Sequence, residues 1–426
     1  MTREDKVLIQ ILAAFTNGRS ISPLQDVSLE ALYQTAQKHN VAGIVSSMIQ
    51  PVLKTCAEDS AARKFQEIYM ATIFRSVQME EEVKLFADRM DEAGIPYAFF
   101  KGYELRELYP NSELRTMGDV DVLVRDADME KTVQILNGLG YTNEGKGGAV
   151  WTCKNEVLSY EIHRRLAFGK YWNQVDYESY FAKAFVRLLS EPGSHRDTQG
   201  VSSTGPESGR RYFSREDHFI YLCFHLAKHL NSSGAGIRMV MDITLYLRAY
   251  QEQMDWSYVW EECRKIRLDI FVKTLLRACR EWFRSPSEAE IARIEVAGSG
   301  LPDDVTDEGV LGRLESYIMT GGVFGFERDD SIRRLRKGIN EHTDHASVLI
   351  RARALWKLAF PERRYMTYFM PAVEQYRILL PLAWIKRWTR GLHERKRMEA
   401  AFRGLDKSKH VNEAREQYRL LKKIGL

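Results

Sequence analysis

Two aspartates, two positions apart, are the residues of this chain whose type and spacing could do chemistry. Asp119 and Asp121 lie in the stretch GDVDVLV, in which the other residues from 120 to 124 are valine or leucine. Side chains of a β-strand alternate between its faces, so a strand here directs both carboxylates to one face. Neighbouring carboxylates repel each other and are costly to bury without a bound cation or another partner. The spacing predicts a divalent cation site for Mg²⁺ or Mn²⁺, which prefer carboxylate and phosphate oxygens.

A third carboxylate follows in the stretch SYEIHRRL, forty residues after Asp121. Glu161 lies there in the alternating pattern of a half-buried strand. If this strand lies beside the first one, we expect Glu161 to join the two aspartates, bind the metal and help deprotonate an acceptor hydroxyl. His163 shares the face of Glu161. It either orients a substrate or a metal-bound water, or is a hydrogen-bonded structural histidine.

Residues suited to phosphate lie just upstream. In FFKGYEL an apolar run ends at Phe100, and Lys101 and Gly102 precede a helical pattern. A glycine between a strand and a helix lets backbone N–H groups approach a phosphate, and the helix N-terminus favours the anion. Lys101 would add a point charge, and Arg115 would give bidentate contacts to phosphate oxygens.

A later helical pattern adds candidates for the wall of a pocket. His225 and His229 are four residues apart, a spacing that can chelate Zn²⁺, but Leu226 stands where the metalloprotease pattern has Glu. We favour a helix beside the active site, with His229, Arg238 and Asp242 lining the nucleotide or acceptor pocket. Arg238 and Asp242 could equally form an ion pair within one helix.

These residues require elements that bring them together, and the patterns predict five segments. They are a helical segment (1–93), an α/β core (94–190), a polar flexible loop (191–211), a helical part that packs on the active site (212–300) and a C-terminal helical region (301–426). Within the core we expect four strands in IPYAFF, DVDVLV, AVWTCK and VLSYEIHRRL. We also expect helix N-caps at Ser28 and Asp126, and helix ends at Gly94 and at Gly138 or Gly140.

The composition bounds the class of protein. The chain has 426 residues, of which 44% are hydrophobic and 28% charged, as expected for a folded protein. Five scattered cysteines form no CxxC pair, which favours a reducing compartment. No apolar run is long enough for a membrane span and no leader sequence is evident, so we expect a cytoplasmic location.

The C-terminal tail is basic, with 13 Lys or Arg against 5 Asp or Glu from Lys386 to Leu426. It either faces an anionic partner or is a solvated helical face. Trp384 and Trp388 are four residues apart among basic residues. They could stack on bases or lie at a membrane surface, and more commonly such a pair is the packing stripe of an amphipathic helix.

Taken together, FFKGYELRELYPNSELRTMGDVDVLV followed by SYEIHRRL resembles the DNA polymerase β-like nucleotidyltransferase superfamily. The likeness is closer to a bacterial group of uncharacterised nucleotidyltransferase family proteins, and it extends to REDHFIYLCFHLAKHL and IRMVMDITLYL, over roughly residues 25–270. It implies an α+β fold, with a small mixed-sheet core, an N-terminal helical segment and a large C-terminal helical region. Tyr103 departs from the superfamily, which has Ser or Gly after the turn glycine.

The resemblance implies a two-metal enzyme that transfers a nucleoside monophosphate from an NTP such as ATP to an acceptor and releases pyrophosphate. Asp119, Asp121 and Glu161 would be its metal ligands, and Gly102 its phosphate-binding turn. The acceptor stays open among small molecules, peptides, proteins and RNA. The alternatives are a nucleic-acid-modifying enzyme that uses the basic tail, and a non-catalytic partner of this fold in a biosynthetic or toxin–antitoxin assembly.

Overall fold

The structure, a computed structural model, describes most of the chain. The described residues are 1–21, 26–56, 58–144, 150–190, 209–298, 308–322, 330–340, 347–367, 370–373, 375–393, 405 and 408–426. Most of the predicted polar loop, residues 191–208, lies outside them.

Five helices precede the sheet. They are α1 (Arg3–Thr16), α2 (Leu29–Lys38), α3 (Ala42–Met48), α4 (Gln50–Thr55) and α5 (Ser60–Glu92). Ser28 caps α2 by accepting a hydrogen bond from the backbone N–H of Ala31, as predicted. Gly94 has a φ of 65° just beyond α5, a conformation that glycine adopts without strain, so the predicted helix end is confirmed.

A mixed five-stranded sheet forms the centre of the α/β part. Its strands are β1 (Tyr97–Phe100), β2 (Val120–Val124), β3 (Thr142–Asn143), β4 (Val150–Lys154) and β5 (Ser159–His163), and their order is β1-β2-β5-β4-β3. Strand β2 runs parallel to β5, and the other pairs are antiparallel. Two short helices accompany the sheet, α6 (Gly102–Leu105) and α7 (Met129–Gly138). The predicted α+β class is confirmed.

The alternation of side chains gives this sheet two different faces. Val120, Val122 and Val124 pack on one face, in a core shared with α5 and α7. Leu123 and Phe100 belong to a second and larger core on the opposite face, shared with the N-terminal helices and the helices that follow the sheet. Asp121 alternates with the valines and therefore lies on the face of Leu123, as the pattern predicted.

The regular elements that follow the sheet in the described part of the chain are helices. Its helices are α8 (Tyr177–Ser190), α9 (Arg215–Asn231), α10 (Ile237–Tyr250), α11 (Trp256–Lys265), α12 (Asp269–Phe283), α13 (Glu288–Ala297), α14 (Glu308–Gly321), α15 (Asp330–Gly338), α16 (Ser347–Ala359), α17 (Arg363–Met366), α18 (Leu380–His393) and α19 (Ser408–Lys423). No described helix is both long enough and apolar enough to cross a bilayer. All five cysteines are free thiols.

Two local predictions were wrong, and one short strand was missed. Asp126 does not cap α7: it begins a short 3₁₀ turn, α7 starts at Met129, and the Asp126 carboxylate faces Arg164 instead. The short strand β3 was not predicted, because two residues carry too little alternation to be recognised. Gly209 and Arg211 were assigned to the exposed loop, yet their backbones bond to Tyr97 at the end of β1.

Candidate active site

The pairing of β2 with β5 brings two of the predicted carboxylates together. In this parallel register Asp121 lies beside Glu161, so both side chains emerge from neighbouring strands on the same face of the sheet. Asp121 is buried, whereas the Glu161 side chain keeps 35% of its surface exposed. The predicted convergence of these two residues is thus present, with a deep carboxylate next to an accessible one.

His163 links the two carboxylates. Its Nε2 lies 2.8 Å from Oδ1 of Asp121 and 3.4 Å from Oε2 of Glu161. Both carboxylates are acceptors, so Nε2 carries a proton and donates a hydrogen bond to Asp121. The Phe100 ring packs edge-on against the imidazole, with the centroids 5.0 Å apart. His163 is therefore held between its partners rather than projecting freely from the strand.

Lys101 also reaches Asp121. Its Nζ lies 2.6 Å from the same Oδ1, and both side chains are largely buried. Lys101 occupies the sharp turn between β1 and α6 with φ 54° and ψ −124°, a backbone conformation that is strained for any residue with a Cβ. Because Phe100 lies opposite Asp121 in the antiparallel β1–β2 register, this turn directs the next side chain towards Asp121.

Neighbouring charges give the three carboxyl groups, Asp119, Asp121 and Glu161, different pKa values. Burial favours a neutral Asp121, but Lys101 and His163 outweigh it and hold the pKa of this carboxyl well below its usual range. A hydrogen bond from His163 lowers the pKa of Glu161. Burial, together with the charges of Asp121 and Glu161, raises the pKa of Asp119 to about 6. Asp119 is therefore the carboxyl of the three that binds a proton most readily.

The donor set suits one cation. Ligand atoms of Asp121, Glu161 and His163 lie within 4.8 Å of one another. Among the described residues, these three side chains form the group that could hold a metal ion. Two carboxylates and an imidazole can hold Mg²⁺, Mn²⁺ or Zn²⁺ once Nε2 of His163 releases the proton that it shares with Asp121. Of the predicted triad of Asp119, Asp121 and Glu161, this group contains Asp121 and Glu161 together with His163, and the role of Asp119 stays a prediction.

Gly102 follows Lys101 at the turn, and its lack of a side chain leaves room for Arg115. A Cβ on Gly102 would come within 2.9 Å of Nη1 of Arg115 and 3.0 Å of the Met117 sulfur. Tyr103 points away, packing on Phe99 with the ring centroids 4.8 Å apart, in the core on the other face of the sheet. The departure at Tyr103 therefore does not bring its ring among the carboxylates.

Arg115 is bound to a carboxylate of α10. Its Nε and Nη2 donate to the two oxygens of Asp242 at 2.9 and 2.7 Å, a bidentate pair that is almost fully buried. The Tyr109 hydroxyl donates to Oδ1 of Asp242 at 2.7 Å. Asp242 thus pairs with Arg115, rather than with Arg238 of its own helix.

Arg238 fastens the segment that precedes β2. Its Nη1 donates to the carbonyl and to the hydroxyl oxygen of Thr116, at 2.6 and 2.8 Å. The Thr116 hydroxyl in turn donates to the Asn40 carbonyl at 2.8 Å. Burial, and then the charge of Arg115, lower the pKa of Arg238. Arg238 and Asp242 together hold the loop between α6 and β2, from which Asp119 projects.

The two histidines of α9 lie near the same carboxylates. Their Nε2 atoms are 3.1 Å apart, the distance of a hydrogen bond between a protonated and an unprotonated ring nitrogen. Burial, followed by neighbouring cations that include Lys101, lowers the pKa of His229 to about 4 and that of His225 well below its usual value. Both rings are therefore neutral at neutral pH.

Sequence reasoning missed three residues of this site. Tyr109 binds Asp242, Thr116 binds Arg238, and Tyr221 stacks parallel to His225 at a centroid distance of 6.1 Å. The sequence could have indicated Tyr221, because it precedes His225 by four residues and so lies on the same helix face. Tyr109 and Thr116 lie in irregular backbone, where no periodicity indicates direction.

Comparison with known protein families gives a match. The family model described as "Uncharacterised nucleotidyltransferase" matches residues 25–284, more than half of the chain and all of the residues described in this site. No curated protein and no solved structure matches the chain.

Proposed function

The chain belongs to this nucleotidyltransferase family, and we propose that it transfers a nucleoside monophosphate from an NTP to an acceptor, with Mg²⁺ or Mn²⁺ bound and pyrophosphate released. The observation that carries the proposal is the group formed by Asp121, Glu161 and His163 on adjacent parallel strands. In phosphoryl-type transfer the protein supplies positioning and charge rather than a nucleophilic side chain, and a carboxylate-rich group of this kind suits that task.

We assign the cation to Asp121 and Glu161, with Asp119 and His163 beside them. A divalent cation in this position would neutralise the triphosphate and polarise the phosphorus under attack. The raised pKa of Asp119 supports its inclusion, because it reflects burial and then the charges of Asp121 and Glu161, an environment in which a bound cation would be favoured. Glu161 keeps solvent access, and we assign to it the proton of the attacking acceptor hydroxyl.

We assign the triphosphate to the turn at Lys101 and Gly102. The Lys101 ammonium lies beside Asp121, and Gly102 opens the short helix α6. Arg115 approaches Gly102 through Nη1, while its Nε and Nη2 are held by Asp242. We therefore propose that Arg115 contacts phosphate through Nη1, with Asp242 fixing the guanidinium.

The acceptor would approach from the side of α9 and α10. His229, Arg238 and Asp242 stay our proposed lining of the nucleotide or acceptor pocket. Neutral His225 and His229 suit an uncharged polar group of a ligand better than a phosphate. The acceptor class stays open among small molecules, peptides, proteins and RNA.

A second candidate is a non-catalytic binding partner built on this fold. The observation that favours it is that two cations predicted to contact phosphate are paired with carboxylates, Lys101 with Asp121 and Arg115 with Asp242. In that case the ion pairs would be structural, and no metal-dependent NTP binding would occur.

The deciding experiment is label transfer. The purified chain, Mg²⁺ or Mn²⁺ and each of four α-labelled NTPs are incubated with cell extract, beside the variants Asp121→Asn and Asp126→Asn. The second variant makes the same chemical change on an exposed carboxylate just past β2. We expect the parent and Asp126→Asn to label a product. Asp121→Asn should lose several kcal/mol of transition-state stabilisation, roughly a thousandfold in rate.

This experiment distinguishes the two candidate functions. A labelled product that needs Asp121 establishes nucleotidyl transfer, and its identity gives the acceptor class. Equal labelling by Asp121→Asn would contradict the assignment of this carboxylate. An absence of labelling by any NTP, with no metal-dependent NTP binding by the folded parent, would favour the non-catalytic partner.

A further inference from the structure

Helices α16 and α18 carry large apolar side chains that point into solvent. Leu382 and Ile385 of α18 are exposed and lie three residues apart on one helix face. Ile378, which is 85% exposed, lies four residues before Leu382 in the 3₁₀ turn Arg377–Leu379 that leads into α18. Val348, Leu349, Leu355 and Trp356 of α16 are likewise exposed, and their spacing of seven residues puts them on one side of that helix. Single exposed apolar residues are ordinary, but two such stripes are not.

The two helices belong to one packed substructure. Arg387 of α18 donates to the carbonyl of Leu358, and the Trp388 indole donates to that of Ala359. Phe360 packs edge-on against Trp384 and Trp388 at 5.2 and 5.1 Å. Both tryptophans are therefore used in packing, as the more common interpretation of their spacing predicted, and the exposed stripes are formed by other residues.

The charge of the two helices indicates which kind of partner would cover these stripes. Residues 347–360 contain Arg351, Arg353 and Lys357, residues 375–393 contain Arg377, Lys386, Arg387 and Arg390, and neither segment contains an Asp or Glu. A second copy of the chain would bring one basic face against another, which opposes a symmetric dimer here. Six of the seven exposed residues of the two stripes are aliphatic, and the ring of the seventh, Trp356, packs on Phe360 at a centroid distance of 4.4 Å. Bases stack on aromatic rings rather than on aliphatic side chains, which disfavours RNA.

We propose that α16 and α18 dock on an anionic lipid bilayer surface, with the apolar stripes inserted among the headgroups and the cations against lipid phosphate and carboxylate. Apolar residues flanked by Lys and Arg, on helices that do not cross the bilayer, are the pattern of interfacial attachment. This would bring the basic part of the chain to an anionic partner, as one interpretation of its charge predicted.

Vesicle sedimentation tests the proposal with the full chain. Vesicles of phosphatidylcholine alone are compared with vesicles that also contain phosphatidylserine, at low and high salt. We expect binding to the anionic vesicles, weaker binding at high salt, and little binding to neutral ones. The triple variant Ile378→Ser/Leu382→Ser/Ile385→Ser should bind roughly a hundredfold more weakly because it has less apolar surface to insert. Lys386→Gln/Arg390→Gln should lose about fivefold per cation.

Helix α5 offers a matched control. Met70, Phe74 and Val77 are exposed with the same spacing, but α5 also carries acidic residues such as Glu67, Glu80 and Glu81. The variant Met70→Ser/Phe74→Ser/Val77→Ser should bind vesicles like the parent. Equal binding to neutral and anionic vesicles, unchanged binding by both α18 variants, or capture of RNA without vesicle binding would each overturn the proposal. Because the two α18 variants change exposed side chains of different kinds, misfolding of one leaves the other decisive.

Discussion

Asp121 is the residue on which the candidate chemistry depends, and its Oδ1 already accepts hydrogen bonds from two side chains. Lys101 and His163 both bind Oδ1, so a divalent cation that used this oxygen would compete with an ammonium 2.6 Å away. The strained turn at Lys101 indicates that the surrounding structure enforces this pairing. Lys101 therefore has two possible tasks: it competes with the metal until a nucleotide draws it away, or it holds the carboxylate in a ligating position.

The variant Lys101→Met separates these tasks. If the ammonium competes with the metal, its removal should raise the affinity for Mn²⁺ in the absence of nucleotide by at least about tenfold, or 1.4 kcal/mol. Titration with Mn²⁺, followed by electron paramagnetic resonance, measures this affinity. Lys131→Met, on an exposed lysine of α7, should leave it unchanged. A fall in affinity for Lys101→Met would instead mean that the ammonium positions Asp121.

The residue types of this site could be read from the sequence, but several of their partners could not. The alternation GDVDVLV indicates one face for Asp121, and the distribution of the valines and Leu123 between the two cores confirms it. The Lys101–Asp121 pair depends on β1 lying antiparallel to β2 in one register. Registers of this kind are set by long-range pairing, which local patterns do not encode.

Helix α10 acts as a brace for the segment that leads into β2. Arg115 and Asp242 form a buried bidentate pair between the two elements, and Arg238 binds Thr116 one residue further along. A buried ion pair repays its desolvation poorly, but removal of one partner leaves a buried charge. The brace should therefore contribute little net stability while it fixes the position of Asp119.

A double-mutant cycle tests this brace. Asp242→Met and Arg115→Met should each lower the free energy of unfolding by about 3–5 kcal/mol, because each leaves the charge of its partner buried and unpaired. Arg115→Met/Asp242→Met should recover most of that loss, less about 1–3 kcal/mol for the Tyr109 hydroxyl left without an acceptor. Urea unfolding gives all three values. Losses that simply add in the double variant would show that the two residues do not interact.

The same variants report on phosphate contact. If Arg115 binds the triphosphate through Nη1, the double variant should regain stability and still transfer label at least about tenfold more slowly than the parent. A double variant with parental transfer would restrict Arg115 to the brace. The assay is the label transfer described above, run at a temperature where all variants are folded.

The helical elements were predicted more readily than their connections. Long amphipathic helices such as α5 follow from periodicity and end at a signalled glycine, Gly94. The start of α7 was misplaced because Asp126 has the residue type of a cap, yet its side chain faces Arg164. The residue type of Asp126 favours a cap, but its partner lies 38 residues away along the chain and is not revealed by the local sequence. The hydrogen bond between Gly209 and Tyr97 was missed for the same reason.

At the scale of the whole molecule, one large core joins the N-terminal helices to the sheet and to helices α9–α12. His39, at the end of α2, is a fully buried polar contact within this body. The backbone N–H of Ile237 donates to its Nδ1, so its Nε2 carries the proton and donates to the Met319 carbonyl. One neutral imidazole thus connects α2 with the start of α10 and the end of α14.

This arrangement makes stability depend on pH. Burial, and then the charge of Lys38, lower the pKa of His39 to about 4. A protonated Nδ1 would also face the N–H of Ile237 instead of accepting from it. Since the unfolded chain binds this proton at a pKa of about 6.5, the unfolded state is favoured as the pH falls. The contribution of His39 is complete above pH ~6.5 and declines towards pH ~4.

His39→Gln removes this titration, and urea unfolding across that pH range measures the effect. Near pH ~7.5 we expect the variant to be less stable than the parent by about 1–3 kcal/mol, because a buried hydrogen bond is lost or distorted. By pH ~5 the parent should have lost about 2 kcal/mol through His39, so the difference between the two proteins narrows or reverses. His225 and His229 also resist protonation, but both proteins retain them, and their effect cancels in the difference. Parallel stability curves for parent and variant would contradict the assignment of a neutral His39.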